Sequence, residues 1–258
     1  MKENKQSIAR RKNKPSEKVD KEVLEKLTAK KFLERLSAFR SENEIAKVQR
    51  FFRGDDPTNK CLGVRMFNIF ELAKKFSEMP FEEIEKLLES EFYEARVGAV
   101  SIMDFQARDK KVSADRKKEL FKLYLKRHDR INNWDLVDRS APYVVGGYLF
   151  DKPRTVLYKL AKSKNVWERR TAIVSTFFFI RQNDLEDTFK IAELLVNDQH
   201  DLIHKAVGGW IREAGKRNKQ MLIDFLDKYA KSMPRTALRY AIEKFDKKQK
   251  DFYMKAGK

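Results

Sequence analysis

A chain of 258 residues can bury one large core or one continuous solenoid core without covalent or metal staples. Its 57 Lys+Arg against 39 Asp+Glu leave a formal net charge of +18, which points to a polyanionic partner, with nucleic acid the foremost class. The single cysteine, Cys61, excludes an internal disulfide and any multi-cysteine metal site. No apolar run approaches the roughly 18 residues that span a bilayer, and the polar, basic N-terminus has no signal-peptide core, so a cytoplasmic protein with no membrane partner is expected.

Residues 1–20 hold seven basic and three acidic side chains and almost nothing apolar, the composition of a disordered tail. From about residue 21 to 250, helix-period patterns follow one another and predict a single repeat domain. Val23, Leu24 and Leu27 are followed by Phe32, Leu33 and Leu36, then by Phe81, Ile84, Leu87 and Leu88, then by Leu120, Leu123 and Leu125. Pro80, Pro153 and Pro234 stand where helices begin. The segments 53–57 and 150–153 carry turn residues, and nothing alternates as a strand, so the fold class is all-α. Of the three histidines, His200 and His204 are four apart but lack a third ligand nearby, and no metal or other cofactor is expected.

Four helices overlay. They begin at Tyr93, Trp134, Trp167 and Ile203, spaced 41, 33 and 36 residues apart, and each opens on a bulky residue and turns apolar or small within two turns. Second amphipathic helices lie between them. That period, with two helices per unit, is the mark of HEAT-type arrays, whose curvature makes a groove. The fifth position of the overlay holds Val97, Asp138, Thr171 and Val207. A carboxylate in a register that faces neighbouring helices must be paired, solvated in a groove or functional. Trp134 precedes Asp138 by one turn on the same face. From spacing alone, a structural ion pair between Asp138 and an arginine of the next repeat stands beside a functional reading. Arg169 and Arg170, after the cap segment Ser163-Lys164-Asn165, allow either a solvated basic face or a phosphate clamp. Further basic clusters at Lys110-Lys111, Arg116-Lys117-Lys118, Lys126-Arg127 and Lys216-Arg217 would form an electrostatic track if they share one edge of the groove.

Four ordered motifs carry a resemblance: Asn133-Trp134-Asp135-Leu136-Val137-Asp138, the segment 163–173 around Trp167 and Arg170, the segment 201–216 around Lys205 and Trp210, and the segment 233–243 from Met233 to Glu243. Over roughly residues 25–247 the chain resembles the AlkD-like DNA alkylation repair glycosylases. The resemblance implies a right-handed α-solenoid of six HEAT-like repeats with duplex DNA in its concave cleft, and a monomeric, nucleoid-associated enzyme. It further implies hydrolysis of the N-glycosidic bond of N3- or N7-alkylated purines in base excision repair. Trp134 and Asp138 match the family's active-site tryptophan and aspartate, and Arg170 its backbone-contacting arginine, with Arg169 beside it. Anchoring on Lys205-Ala206-Val207-Gly208 and on Arg212-Glu213 puts Gly209 in the register of the second active-site tryptophan. Trp210, the second aromatic wall, comes one residue later, about 100° around the helix and turned away from the groove. Lys205 and Arg212, which flank it, are placed with the DNA contacts. Phe51 stands where the family often has a DNA-contacting tyrosine and lacks its hydroxyl.

The chemistry agrees with a single carboxylate. Ordinary glycoside hydrolysis uses two, one of them to protonate the leaving group. A 3- or 7-alkylpurine already carries a positive charge and leaves without protonation. An aspartate then has only to stabilise an oxocarbenium-like sugar and position water, while a tryptophan face attracts the cationic base. Two other readings stay open on sequence: a relative with weak or no catalysis that binds bent or branched DNA, and a HEAT scaffold for an acidic protein partner.

Overall fold

The computed structural model describes residues 27–50, 52 and 59–256. Its helices are α1 (Ala29–Ser37), α2 (Glu42–Gln49), α3 (Met66–Lys75), α4 (Phe81–Leu88), α5 (Tyr93–Arg108), α6 (Ala114–Lys126) and α7 (Trp134–Ser140). The last runs directly into a π-helix, π1 (Ala141–Gly147). After it come α8 (Thr155–Ala161), α9 (Val166–Arg181), α10 (Glu186–Leu195), α11 (Asp201–Gly215), α12 (Lys219–Tyr229), α13 (Arg235–Ala241) and α14 (Lys247–Ala256). Among the described residues the only β-type pairing is an isolated bridge between Lys60 and Phe92, and no helix is long and apolar enough to cross a membrane. The expected basic tail, residues 1–20, lies outside the described residues.

The helices form two layers. In the first, α3, α5, α7 with π1, α9, α11 and α13 each pack on the next. The second layer holds the alternate helices, with α4 and α6 against α5, α8 and α10 against α9, and α10 and α12 against α11. The sequence explains the division. In α5 and α9 the buried residues run round nearly the whole circumference, from Tyr93 to Met103 and from Arg170 to Thr176, which suits helices covered on several sides. By contrast α4 buries one stripe, Ile84, Leu87 and Leu88, and leaves its charged residues exposed or half-buried, with Glu83 accepting from the Ala29 N–H of α1. The overlay holds in three dimensions: Val97, Thr171 and Val207 are all buried between helices.

Helix starts follow local chemistry. Pro80 and Pro234 occupy the N-caps of α4 and α13, and Pro153 comes two residues before α8. The side chains of Ser113, Asn165 and Asn218 accept from backbone N–H groups in the first turns of α6, α9 and α12. The π-helix has a cause in Pro142, which cannot donate a helical hydrogen bond and whose ring crowds the carbonyl one turn back. Gly146 then lets π1 lie directly on α9, where a Cβ would come within 2.1 Å of the Ser175 carbonyl oxygen.

Several basic clusters expected to track a groove are taken up within the fold. Lys126 and Arg127 reach Glu85 and Glu89 across the second layer, Arg116 donates to Gln106 and to the Met79 carbonyl, and Lys216 pairs with Glu213.

Candidate functional site

The largest concentration of unusual chemistry lies on the first layer. An open pocket of about 480 Å³ is bordered by Trp134 and Asp138 of α7, Arg170 of α9, and Lys205 and Trp210 of α11, with Arg50 and Tyr240 closing it from the two ends of the chain. Trp134 and Asp138 come to it together because they are one turn apart on α7.

Asp138 is the pivot. Its carboxylate accepts a two-pronged donation from Arg170, Nε to Oδ1 at 2.8 Å and Nη2 to Oδ2 at 2.7 Å. Arg170 is 7% exposed, and its third anchor is the Leu202 carbonyl at 2.7 Å. The arginine of the next repeat is therefore the aspartate's partner, as the structural alternative had it. Yet 32% of the Asp138 side chain still reaches solvent, and both members of the pair border the pocket. A bidentate guanidinium–carboxylate pair fixes the plane and direction of the carboxylate. Each oxygen keeps a second lone pair for a water or substrate.

Trp210 was expected about 100° away from the groove; the structure places it in the pocket wall. Its ring rests on Phe177 of α9 with centroids 5.0 Å apart. Gly209 beside it adds no side chain, and a Cβ there would meet nothing within 4 Å, so the neighbouring space stays open. Gly208 faces the other way, towards the Ala237 carbonyl of α13.

Lys205 lines the pocket and pairs with Asp201 one turn earlier at 2.6 Å. The structure does not bring Arg169 and Arg212 to that pocket. Arg169, next to Arg170 but about 100° round the helix, grips Asp198 through Nε at 2.6 Å and Nη2 at 3.2 Å. It also donates to the carbonyls of Ser163 and Lys164, so it braces the turn before α9. Arg212 donates to Glu213 and to Glu243 beyond α13. Phe51 lies outside the described residues; its neighbour Phe52 packs edge-on against Tyr93 at 4.7 Å. His200 and His204 are engaged at the start of α11, His200 Nδ1 accepting from Leu202 N at 3.1 Å and His204 Nε2 bonding the Asp198 carbonyl at 2.5 Å.

Sequence reasoning missed Arg50 and Tyr240, which come from helices far apart in the chain. For Tyr240 a signal existed, since it falls inside the 233–243 motif. It also missed a polar knot behind Trp134. Tyr93 Oη donates to Asp135, Asn133 Nδ2 donates to Tyr93 Oη at 3.2 Å and to Asp135 Oδ1 at 2.9 Å, and the Leu136 N–H reaches Asp135 at 3.0 Å. Burial pushes the Asp135 carboxyl up to about 6 against the hydrogen bond from Tyr93, and burial together with that carboxylate raises the Tyr93 phenol. Both chain neighbours of Trp134 are thereby tied to α5.

The model of the DNA alkylation repair enzyme family matches residues 32–245. Among solved structures, the fold is similar to that of a protein described as a predicted DNA alkylation repair enzyme from Enterococcus faecalis. The TM-score is 0.65 at 16% identity, over 81% of this chain and 97% of that one, and the likeness is one of fold. A search of curated proteins finds no match. With the family matched over most of its length and an all-helical fold of the same kind, this chain belongs to the DNA alkylation repair enzyme family, and its work lies in the repair of alkylated DNA.

Proposed function

We propose that the protein is a DNA glycosylase that hydrolyses the N-glycosidic bond of cationic N3- or N7-alkylated purines in duplex DNA, acting as a monomer through one repeat domain over about 21–250. The observation that carries this reading is the placement of one oriented carboxylate, Asp138, between two tryptophans, Trp134 and Trp210, in a pocket open to solvent. The flat indole faces attract a cationic base, by about 0.5–2 kcal/mol each. Because the alkylated base leaves as a neutral molecule, no acid is needed on the leaving group. The positive charge passes to the deoxyribose as the bond lengthens. Asp138, its direction fixed by Arg170, stabilises that charge and orients the water that adds to C1′. The proton released by that water passes to Asp138 or to solvent. Arg50, Lys205 and the remaining N–H groups of Arg170 face the strand's phosphates.

Release of 7-methylguanine from methylated duplex DNA tests the proposal. Wild type is expected to release base well above the spontaneous rate, and Asp138→Asn to lose about 100-fold or more, the usual effect of removing one electrostatic group aimed at developing charge. No release by wild type above the spontaneous rate overturns the glycosylase reading. Full activity in Asp138→Asn removes Asp138 from it.

One observation favours a second reading, a module that binds bent or branched DNA without cleaving it: both oxygens of Asp138 are already held by Arg170. Under that reading methylated DNA binds tightly and stays intact.

A further inference from the structure

A second cavity, of about 220 Å³, lies where the far ends of α5 and α9 flank π1. Its walls are Arg108 of α5, Lys117 of α6, Tyr143 and Tyr148 at π1, and Phe178 of α9. Tyr143 is gripped from both sides. The Arg108 guanidinium lies over its ring at 3.8 Å, and Arg181 Nη1 donates to its hydroxyl at 2.5 Å. Phe178 meets the same ring edge-on at 5.6 Å.

Cations outnumber the acid that meets them at this place. Asp104, fully buried, holds Arg108 through Nε at 3.0 Å and Arg139 through Nη1 at 3.3 Å, which leaves the Nη groups of Arg108 without a hydrogen bond among the described residues. Arg181 donates only to the neutral Tyr143 hydroxyl, and Lys117 has no carboxylate partner among the described residues. Arg181 and Lys117, with no acid among the described residues to neutralise them, and the outer edge of an Arg108 that shares its one buried acid with Arg139, are placed to meet an anion.

Position identifies the anion. Arg181 follows Arg170 by eleven residues on α9, three full turns, so both emerge on one face of the helix, about 16 Å apart. The geometry points to this cavity as a second DNA contact, in which Lys117 and the free edge of Arg108 at its wall, with Arg181 beside it on the Tyr143 hydroxyl, hold phosphodiester groups of a strand whose damaged nucleotide occupies the Trp134–Asp138 pocket. The assignment rests on the DNA-binding part of the proposed function and extends it to a site with no part in bond cleavage. Tyr143 is the platform that sets both guanidiniums, and the aromatic walls Tyr148 and Phe178 give the sugar an apolar surface.

The test is the salt dependence of binding to undamaged duplex DNA, read by fluorescence anisotropy. Arg181→Gln/Lys117→Gln removes two charges that make no intramolecular ion pair, so the fold is spared, and a thermal melt checks it. A matched control, Lys248→Gln/Lys255→Gln, removes two charges from α14. The slope of log K against log [NaCl] is expected to become shallower by between about one and two in the first variant and to be unchanged in the control. A slope equal to wild type in the cavity variant, or an equal change in the control, overturns the second contact while leaving the glycosylase reading in place. Failure of wild type to bind duplex DNA at all overturns that underlying reading instead.

Discussion

At the scale of single residues, the site is built from groups whose neighbours decide their chemistry. Asp138 was legible because it broke a repeat register in which Val97, Thr171 and Val207 are buried, and its partner lies in the next repeat. Arg169 and Arg170 were not separable on sequence, since adjacent residues on a helix point about 100° apart and only three-dimensional packing decides which faces the pocket. Arg50 and Tyr240 were hidden for a related reason: the pocket is closed by helices remote in the chain. Asp135 is the residue whose role the structure makes testable. Burial raises its carboxyl to about 6 in the folded protein, from an ordinary value of 3.8. As pH rises from 4 to 6 the unfolded chain gives up this proton first. The unfolded state then binds fewer protons than the folded one, and stability falls across that window and levels above it. Asp135→Asn carries no proton to lose; its oxygen can keep the Leu136 N–H and the Asn133 amide, while its NH2 donates to the Tyr93 hydroxyl in place of accepting from it. Its stability relative to wild type is expected to rise by on the order of 2 kcal/mol between pH 4 and 7. Urea midpoints for both proteins at several pH values check this, and a flat difference would show that Asp135 ionises as an exposed carboxylate does.

At the scale of helices, the period-3.6 pattern and the prolines at helix starts were legible, whereas the switch from α7 into π1 was not. Pro142 announces an interruption, but whether a chain kinks, stops or widens into a π-turn depends on what packs against it, here α9 under Gly146. The same dependence separates two adjacent glycines of α11 that sequence treats alike. A Cβ at 208 would stand 2.2 Å from the Ala237 carbonyl oxygen and 2.7 Å from Tyr240 Cβ, so Gly208 is what lets α11 and α13 lie in contact. A Cβ at 209 would meet nothing within 4 Å. Gly208→Ala is therefore expected to destabilise the protein by about 1–3 kcal/mol and to displace Tyr240 from the pocket rim, whereas Gly209→Ala should stabilise it by up to about 1 kcal/mol through helix propensity alone. Thermal melts of the two variants decide the matter, and similar effects at both positions would mean that α11 is rotated from the orientation described.

At the scale of the whole molecule, the +18 surplus agrees with the DNA-repair family to which the chain belongs, but the sequence does not say which basic side chains face a polyanion. Ion pairs leave that surplus intact but fix where many of the 57 basic side chains point: Arg169 to Asp198, Arg154 to Asp184 and Asp187, Arg127 to Glu85 and Glu89, Arg212 to Glu243. The cations proposed to meet DNA are Arg50, Lys205 with its Asp201 partner, and part of Arg170 at the first pocket, then Lys117 and part of Arg108 at the second cavity with Arg181 beside it. About five phosphates neutralised would give a salt slope near −4.5 for duplex DNA, since each contributes about −0.9. A protein that bound through its charged surface at large would show a slope several times steeper and would not distinguish duplex positions. The expected result for wild type over a several-fold range of NaCl is a slope between about −4 and −6. A value beyond about −8 would mean that the polyanion is held by the diffuse positive field and not by the two built sites. A shallow slope has a functional sense as well. A repair protein must leave undamaged DNA readily, so under the glycosylase reading proposed above its selectivity has to come from the pocket, where two tryptophans and one carboxylate would meet a positively charged base.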